Sequence, residues 1–522
     1  MTVDEGAAPP APAVRTGNIK KRLRRGLQLL VMFAAALALL LTVPHAVVQT
    51  ALVPWKHLYR ATHPNRPFTV YVIGGSTSVG EPYQPKISFP RIVSAMFDDQ
   101  LAGRPIEIVN LARSGRDVEY GWWELMKTLA ARPNDGILLV YAGINDPVTR
   151  GDDRNYARWA FFHRLAVPSR LQYLLDDHRA PEGLRRFFAA SDNTLRRYET
   201  RLQDVVDLAH RYDLKVVVST LVGNIRDYGP SDLAAAVPPG SPCAEPITRA
   251  LALEAAGKTA EAARLYTTVE PTCEPRVRVR VAFHRARCLE RLGRWSEARD
   301  AYWQATDADG LVIPNPFRNQ AVKDVAARTG STLVDATALF EAASPHGLMG
   351  YDMIIDGHHP TLAGYCLLSE GFARGVGEAL GVTPAHPTMS ADEVASRFGF
   401  DDGDRAHAYF SRSEWIVNYL SMHDDFYGTR AARVGEYLRK AESYDVARLD
   451  PSELAFMRFA VAVMAGDEKQ AGPAMDQWEA SRRQLMQYQG NWLATHLEAT
   501  AFLGEARQAR LRQDLEGFER PR

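Results

Sequence analysis

The sequence predicts an α/β protein. A parallel sheet is covered by helices on both faces, interrupted by helical hairpins and followed by an all-helical C-terminal part. Three observations predict it. Short apolar runs of strand formers, such as "FTVYVIGG" (68–75) and "DGILLVYAG" (135–143), alternate with amphipathic helical stretches, which is the pattern of strands buried on both faces. Between residues 241 and 310 the alternation stops and a helical motif recurs. Beyond residue 382 the pattern is helical almost throughout.

Residues 1–25 read as a cytoplasmic tail, rich in Ala and Pro up to residue 19 and then basic at Lys20, Lys21, Arg22, Arg24 and Arg25. The run "GLQLLVMFAAALALLLTV" (26–43) carries no charge. Roughly 20 apolar residues cross a bilayer as a helix, and a basic cluster stays on the cytoplasmic side. A single-pass anchor is expected over 26–46 and a linker over 47–66, with the catalytic bulk outside the cytoplasm, in a periplasm or its equivalent. A cleaved signal peptide is the other reading. The run is long for one, and no clean small-x-small site follows it. Lys plus Arg (62) equals Asp plus Glu (62) over 522 residues, which argues against a nucleic-acid surface.

The sheet domain is expected over 67–240 and 309–382. After the first strand come a helix (88–101), a strand (106–112), a helix (120–131), the strand at 135–143, a helix (193–212) and a strand (215–222). "STLVDATALF" (331–340) supplies a fifth strand and 363–380 a closing helix. Ligands of parallel sheets bind beyond the carboxyl ends of the strands. Four strand ends carry chemistry: "GGSTS" (74–78), "NLARSG" (110–115), "YAGINDP" (141–147) and "DGHHPTLAGY" (356–365). A serine hydroxyl is a weak nucleophile and needs a base. A histidine supplies one, and a carboxylate fixes its tautomer. Asp356 and His359 are three residues apart, so one short turn can hold both. A tetrahedral oxyanion needs preorganised donors; a backbone N–H beside Gly115 and the Asn145 amide are suitable. Each residue also has a plainer reading: Ser76 in a tight turn, Gly115 in a loop, Asn145 and Asp146 in an Asx turn, His359 as a cap.

In order, spacing and strand context the four blocks resemble the SGNH (GDSL-like) hydrolase superfamily, over about 67–240 and 310–382. The resemblance implies a flavodoxin-like three-layer α/β/α fold. It implies Ser76 as nucleophile, His359 as base, Asp356 as its partner, and an oxyanion hole from the Ser76 and Gly115 N–H groups and the Asn145 side chain. It selects Ser76 over Ser78. The spacing from Asp356 and the following Pro360 favour His359 over His358. The chain departs from the family at Gly75, where an Asp is usual. Gly74 and Gly75 are expected to turn the backbone sharply and leave space over the serine.

Within 241–308, "LEAAGKTAEAARLY" (253–266) and "LERLGRWSEARDAY" (289–302) share Gly, Ala and Tyr: Gly257, Ala262, Tyr266 and Gly293, Ala298, Tyr302. The period of 36 residues (257 to 293) is close to the tetratricopeptide length of about 34. Two such repeats bury little core alone, so they should lean on the sheet. This arrangement resembles bacterial, often membrane-anchored SGNH proteins with tetratricopeptide repeats inside the hydrolase domain. Four cysteines show no CxxC spacing, against a zinc or redox motif. Cys243 and Cys273 either pair or stay as buried thiols; Cys288 and Cys366 read as helix-core residues. Residues 383–522 read as a helical, degenerate-repeat domain.

The expected activity is hydrolysis of a carboxylic ester through an acyl-serine, with no metal, nucleotide or other cofactor. The expected partners are an acyl-ester substrate, including an acylated glycan, the membrane, and a protein met by the repeat helices. Transfer of the acyl group to a cell-envelope polysaccharide, its removal from one, and a scaffold with a vestigial hydrolase domain are the alternatives.

Overall fold

Six strands form one sheet: Phe68–Gly74 (β1), Gln100–Leu101 (β2), Arg104–Asn110 (β3), Gly136–Tyr141 (β4), Lys215–Ser219 (β5) and Thr332–Val334 (β6), in spatial order β2-β3-β1-β4-β5-β6. The computed structural model describes residues 54–146, 194–229, 240–306, 314–420, 427–482 and 484–516, with a few isolated positions besides. One compact unit comprises Lys56–Asp152 and Asp192–Arg522; a second comprises Met1–Trp55 and Asp153–Ser191. The anchor expected over 26–46 lies outside the described residues, apart from Met32. Among the described residues no helix is long and apolar enough to cross a membrane.

β1 lies between β3 and β4 and is parallel to both. β5 and β6 continue the parallel set. The sheet is mixed rather than wholly parallel, because the two-residue β2 pairs antiparallel on the β3 edge. The helix expected over 88–101 stops at Met96. Asp98 and Asp99 then take left-handed φ of 52° and 57°, which turns the chain back to form β2. The five parallel strands follow the doubly wound order second-first-third-fourth-fifth, whose winding reverses between the first and third. Here that switch lies between β1 and β4.

β1 and β4 are buried at every position, as strands covered on both faces must be. Helices Val118–Ala131, Leu195–Arg211 and Pro316–Thr329 pack in series, and Phe89–Met96 packs on Leu362–Leu380. The stretch read as a fifth strand over 331–340 is only partly one. Asp335 accepts from Ala338 N at 3.2 Å and caps a helix, Ala336–Ala343, directly after β6. The apolar run misled because Val-Asp-Ala-Thr suits a helix start as well as a strand.

Between β5 and β6 stand two helical hairpins, Ala244–Ala255 with Thr259–Val269 and Pro275–Arg291 with Trp295–Ala305. Each turns at a glycine with left-handed φ, Gly257 at 72° and Gly293 at 71°. Tyr266 and Tyr302 are buried at equivalent places. Tyr266 donates to Glu254 Oε2 at 3.0 Å, and Tyr302 donates to Glu290 Oε2. The internal likeness therefore extends to Glu254 and Glu290, again 36 residues apart (254 to 290). Phe283, Leu289 and Tyr302 belong to the same apolar core as the sheet, whereas Cys243, Ile247 and Tyr266 form a separate cluster. All four cysteines are free and buried. Burial and the neighbouring Cys243 thiol push Cys273 up to about 12.

The C-terminal helices, from Asp402–Leu420 to Glu505–Glu516, share one core that also takes in Ile355, beside Asp356. Gly257→Ala and Gly293→Ala test the equivalence of the hairpin turns. A Cβ would meet nothing within 4 Å at either place, so only the left-handed backbone is penalised, by about 1 kcal/mol. Matched losses in urea unfolding are expected; a large difference between the two would refute the equivalence.

Candidate active site

β1 ends at Gly74, Gly75 follows, and Ser76 opens a one-turn helix, Ser76–Val79. The two glycines are required by close approach rather than by unusual backbone angles; Gly75 has φ −100°. A Cβ on Gly74 would lie 2.0 Å from Ser78 Oγ and 2.4 Å from the Tyr141 carbonyl oxygen. A Cβ on Gly75 would lie 2.6 Å from Asn145 Nδ2. The departure from Asp at residue 75 thus leaves the Asn145 amide beside the serine's own backbone. Ser78 donates inward to the Tyr141 carbonyl at 3.3 Å and is fully buried. Tyr365 Oη donates to the carbonyls of Thr77 and Glu81 at 3.0 and 2.8 Å, holding the helix and the loop after it.

The fourth block forms a closed turn. Ile354 and Pro360 pair in a bridge, and Ile355 N donates to the His359 carbonyl at 2.8 Å. Asp356 Oδ1 accepts from His358 N and His359 N at 3.0 and 2.9 Å. Asp356 Oδ2 takes the Nδ1–H of His359 at 2.7 Å. That bond leaves Nε2 as acceptor, and Nε2 lies 2.7 Å from Ser76 Oγ. The structure therefore brings Ser76, His359 and Asp356 into one line, in a geometry that lets the imidazole take the hydroxyl proton. His358 is turned aside, its ring tilted 38° against that of His359 at 4.1 Å. Burial works to raise the Asp356 carboxyl, but the charge and hydrogen bond of His359, then Arg412 and His358, outweigh it and hold the carboxyl well below the usual carboxylate range.

Gly115 and Asn145 follow the ends of the two strands that flank β1, β3 and β4. Arg116 N donates to the Arg113 carbonyl at 3.1 Å, closing a turn with Gly115 in its third place. Its φ of 73° is what a type II turn needs there. Gly115 is exposed. Asn145 Nδ2 donates to the Arg116 carbonyl at 3.0 Å; the amide carries a second hydrogen. Asp146 is buried and faces away, its Oδ2 accepting from Val118 N at 3.2 Å where the next helix begins. Its part is to anchor that helix.

Two residues here carry no motif. Arg412 Nη1 donates to Asp356 Oδ2 at 3.0 Å. Glu81 Oε2 lies 3.9 Å from His359 Nε2 and 3.6 Å from Arg412 Nη2. Arg412 belongs to a helix 53 residues beyond His359, so no local pattern could reveal it. The donor atoms of Asp356, His358 and His359 lie within 4.8 Å of one another, a spacing a metal could use. Both His359 nitrogens and both Asp356 oxygens are already engaged in hydrogen bonds, so the set does not fit a resident ion.

No family model and no curated protein matches this chain. Solved structures with some likeness include a catalytic mutant of the acetylxylan esterase Axe2 from Geobacillus stearothermophilus, at 15% identity and TM-score 0.29, covering 60% of this chain and 96% of that one. TesA is similar at 14% identity and TM-score 0.28, covering 60% of this chain and 99% of that one. So slight a likeness decides nothing further; strand order and site distances carry the description.

Burial, then the Asp117 charge, pushes Asp146 up to about 7. A carboxyl raised on folding favours the fold fully below the unfolded value of about 4, and that contribution is lost as pH rises toward about 7. Asn can still accept from Val118 N. Asp146→Asn should therefore change Tm little at pH 4.5 and raise it at pH 8. An equal effect at both pH values in thermal unfolding would refute this.

Proposed function

We propose that the chain is a serine esterase of the SGNH type. The observation that carries this is the line from Ser76 Oγ through both ring nitrogens of His359 to Asp356, with 2.7 Å at each hydrogen bond. Ser76 Oγ attacks the ester carbonyl as its proton passes to His359 Nε2. The new C–O bond leaves an oxyanion, which the Ser76 and Gly115 N–H groups and the Asn145 amide receive. Collapse breaks the bond to the leaving alkoxide, which takes the proton from Nε2. Water then releases the acyl group by the same steps in reverse, with His359 as base and then acid.

In the same reading, residues 26–46 anchor the chain and the site works outside the cytoplasm. The uncharged run after a basic cluster supports this. The hairpins between β5 and β6 are a tetratricopeptide-like pair. Their shared glycine turns and Tyr–Glu hydrogen bonds support that assignment.

A fluorophosphonate probe should label the wild-type chain and not Ser76→Ala; a folded wild type that stays unlabelled defeats the proposal. Asn145→Ala should lower kcat on a nitrophenyl ester by about 10²–10³ while KM holds. Unchanged kcat would remove Asn145 from the oxyanion hole. For the anchor, alkaline carbonate should leave the full chain in the membrane pellet and release a chain starting at residue 56. Release of both would refute anchoring.

A further inference from the structure

The triad carboxylate has a partner that no strand-end block supplies. Helix Asp402–Leu420 lays Arg412 and Trp415, one turn apart, against the turn that carries His359. Arg412 is 6% exposed. Its Nη1 shares Asp356 Oδ2 with the Nδ1–H of His359 and comes within 3.4 Å of Nδ1 itself. Its Nη2 faces Glu81 Oε2 at 3.6 Å. Ser114 Oγ donates to the other Glu81 oxygen. The rings of Trp415 and His359 stand nearly perpendicular, at 87°, with 6.4 Å between centroids.

We propose that Arg412 is a positioning residue of the triad: its guanidinium ties Asp356 to Glu81 along one side of His359 and keeps Glu81 from capturing Nε2. The proposal rests on the esterase reading above. Glu81 Oε2 is 3.9 Å from Nε2, little more than one hydrogen bond away. A carboxylate there is a rival to Ser76 for the imidazole, and it outcompetes a hydroxyl whenever the ring is protonated. The fork of Arg412 holds both acids at once, which a lysine ammonium cannot do with the same geometry. Among the described residues, the charged and titratable groups around the ring are Asp356 and His358 from its own turn, Glu81 from the loop after the nucleophile, and Arg412. Tyr83, Tyr365 and Tyr437 face Asp356 from three further elements. With Arg412 removed, two carboxylates face the imidazole without a compensating cation. The ring then takes up a proton more readily and swings toward Glu81. By this device the C-terminal helices complete the site.

The test follows fluorophosphonate labelling of Ser76 against pH in the full chain, together with kcat and KM on a nitrophenyl ester. Arg412→Met should label about 10–100-fold more slowly at pH 7, with kcat reduced and KM unchanged. Its rate curve should move to higher pH. Adding Glu81→Gln to Arg412→Met should recover at least about threefold, because the rival acceptor is gone. Arg412→Lys should fall between wild type and Arg412→Met. A wild-type rate and curve for Arg412→Met, or no recovery in the double variant, overturns the proposal. If Arg412→Met does not fold, a wild-type rate and curve for Arg412→Lys overturns it instead. No labelling of the wild type defeats the esterase reading, and this proposal with it.

Discussion

Asp356 is a fully buried carboxylate, and much of the molecule is arranged around satisfying it. Taking such a group out of water costs several kcal/mol unless charge and hydrogen bonds compensate. Oδ1 is met by two backbone N–H groups of its own turn, and Oδ2 by His359 and Arg412. Three parts of the fold hold these donors in place. The turn is pinned by the Ile354–Pro360 bridge. Its Gly357 carbonyl takes Asn224 N, after β5, at 2.8 Å. Its Ile355 carbonyl takes Tyr437 Oη, from the C-terminal helices, at 2.6 Å. An arrangement so thoroughly bonded has little freedom to present His359 elsewhere, which is the preorganisation an acid–base group needs.

The second constraint is closeness around Ser76. Gly74 and Gly75 let the end of β1, the Tyr141 carbonyl and the Asn145 amide approach within distances a Cβ would block. Gly143 does the same for Tyr198, whose hydroxyl would lie 2.4 Å from an added Cβ. These positions sit at the switch between β1 and β4, the place where ligands of doubly wound sheets generally bind. The carboxyl end of the sheet around Ser76 is thus assembled by topology, and the glycines allow it to close tightly.

Some of this was legible in the sequence because it is local. Alternation of buried runs and helices follows from side-chain periodicity and marks the strands. Glycine-ended strands and the Asp-x-x-His spacing are encoded within a few residues each. The hairpin repeat was visible through Gly257, Ala262 and Tyr266 and their counterparts. Its Glu254 and Glu290 were not, since a carboxylate on a helix reads as solvated until its tyrosine partner is known. Residues 331–340 show the limit of periodicity: an apolar run fits strand and helix alike, and the Asp335 cap decided the outcome.

The sequence by itself determined the α/β class, the four strand-end blocks and the candidates Ser76, Asp356, His359, Gly115 and Asn145, because each depends on residue type and near spacing. Only the tertiary structure decided the strand order, the antiparallel edge, the reason for Gly75, and the presence of Arg412 and Glu81 beside the imidazole. The place of Arg412 depends on contact with Glu81, hundreds of residues away in the chain; Gly75 answers to Asn145 on another strand end, and the antiparallel edge to the chain doubling back between Leu101 and Arg104. Burial and charge pairing, which have no local signature, select them.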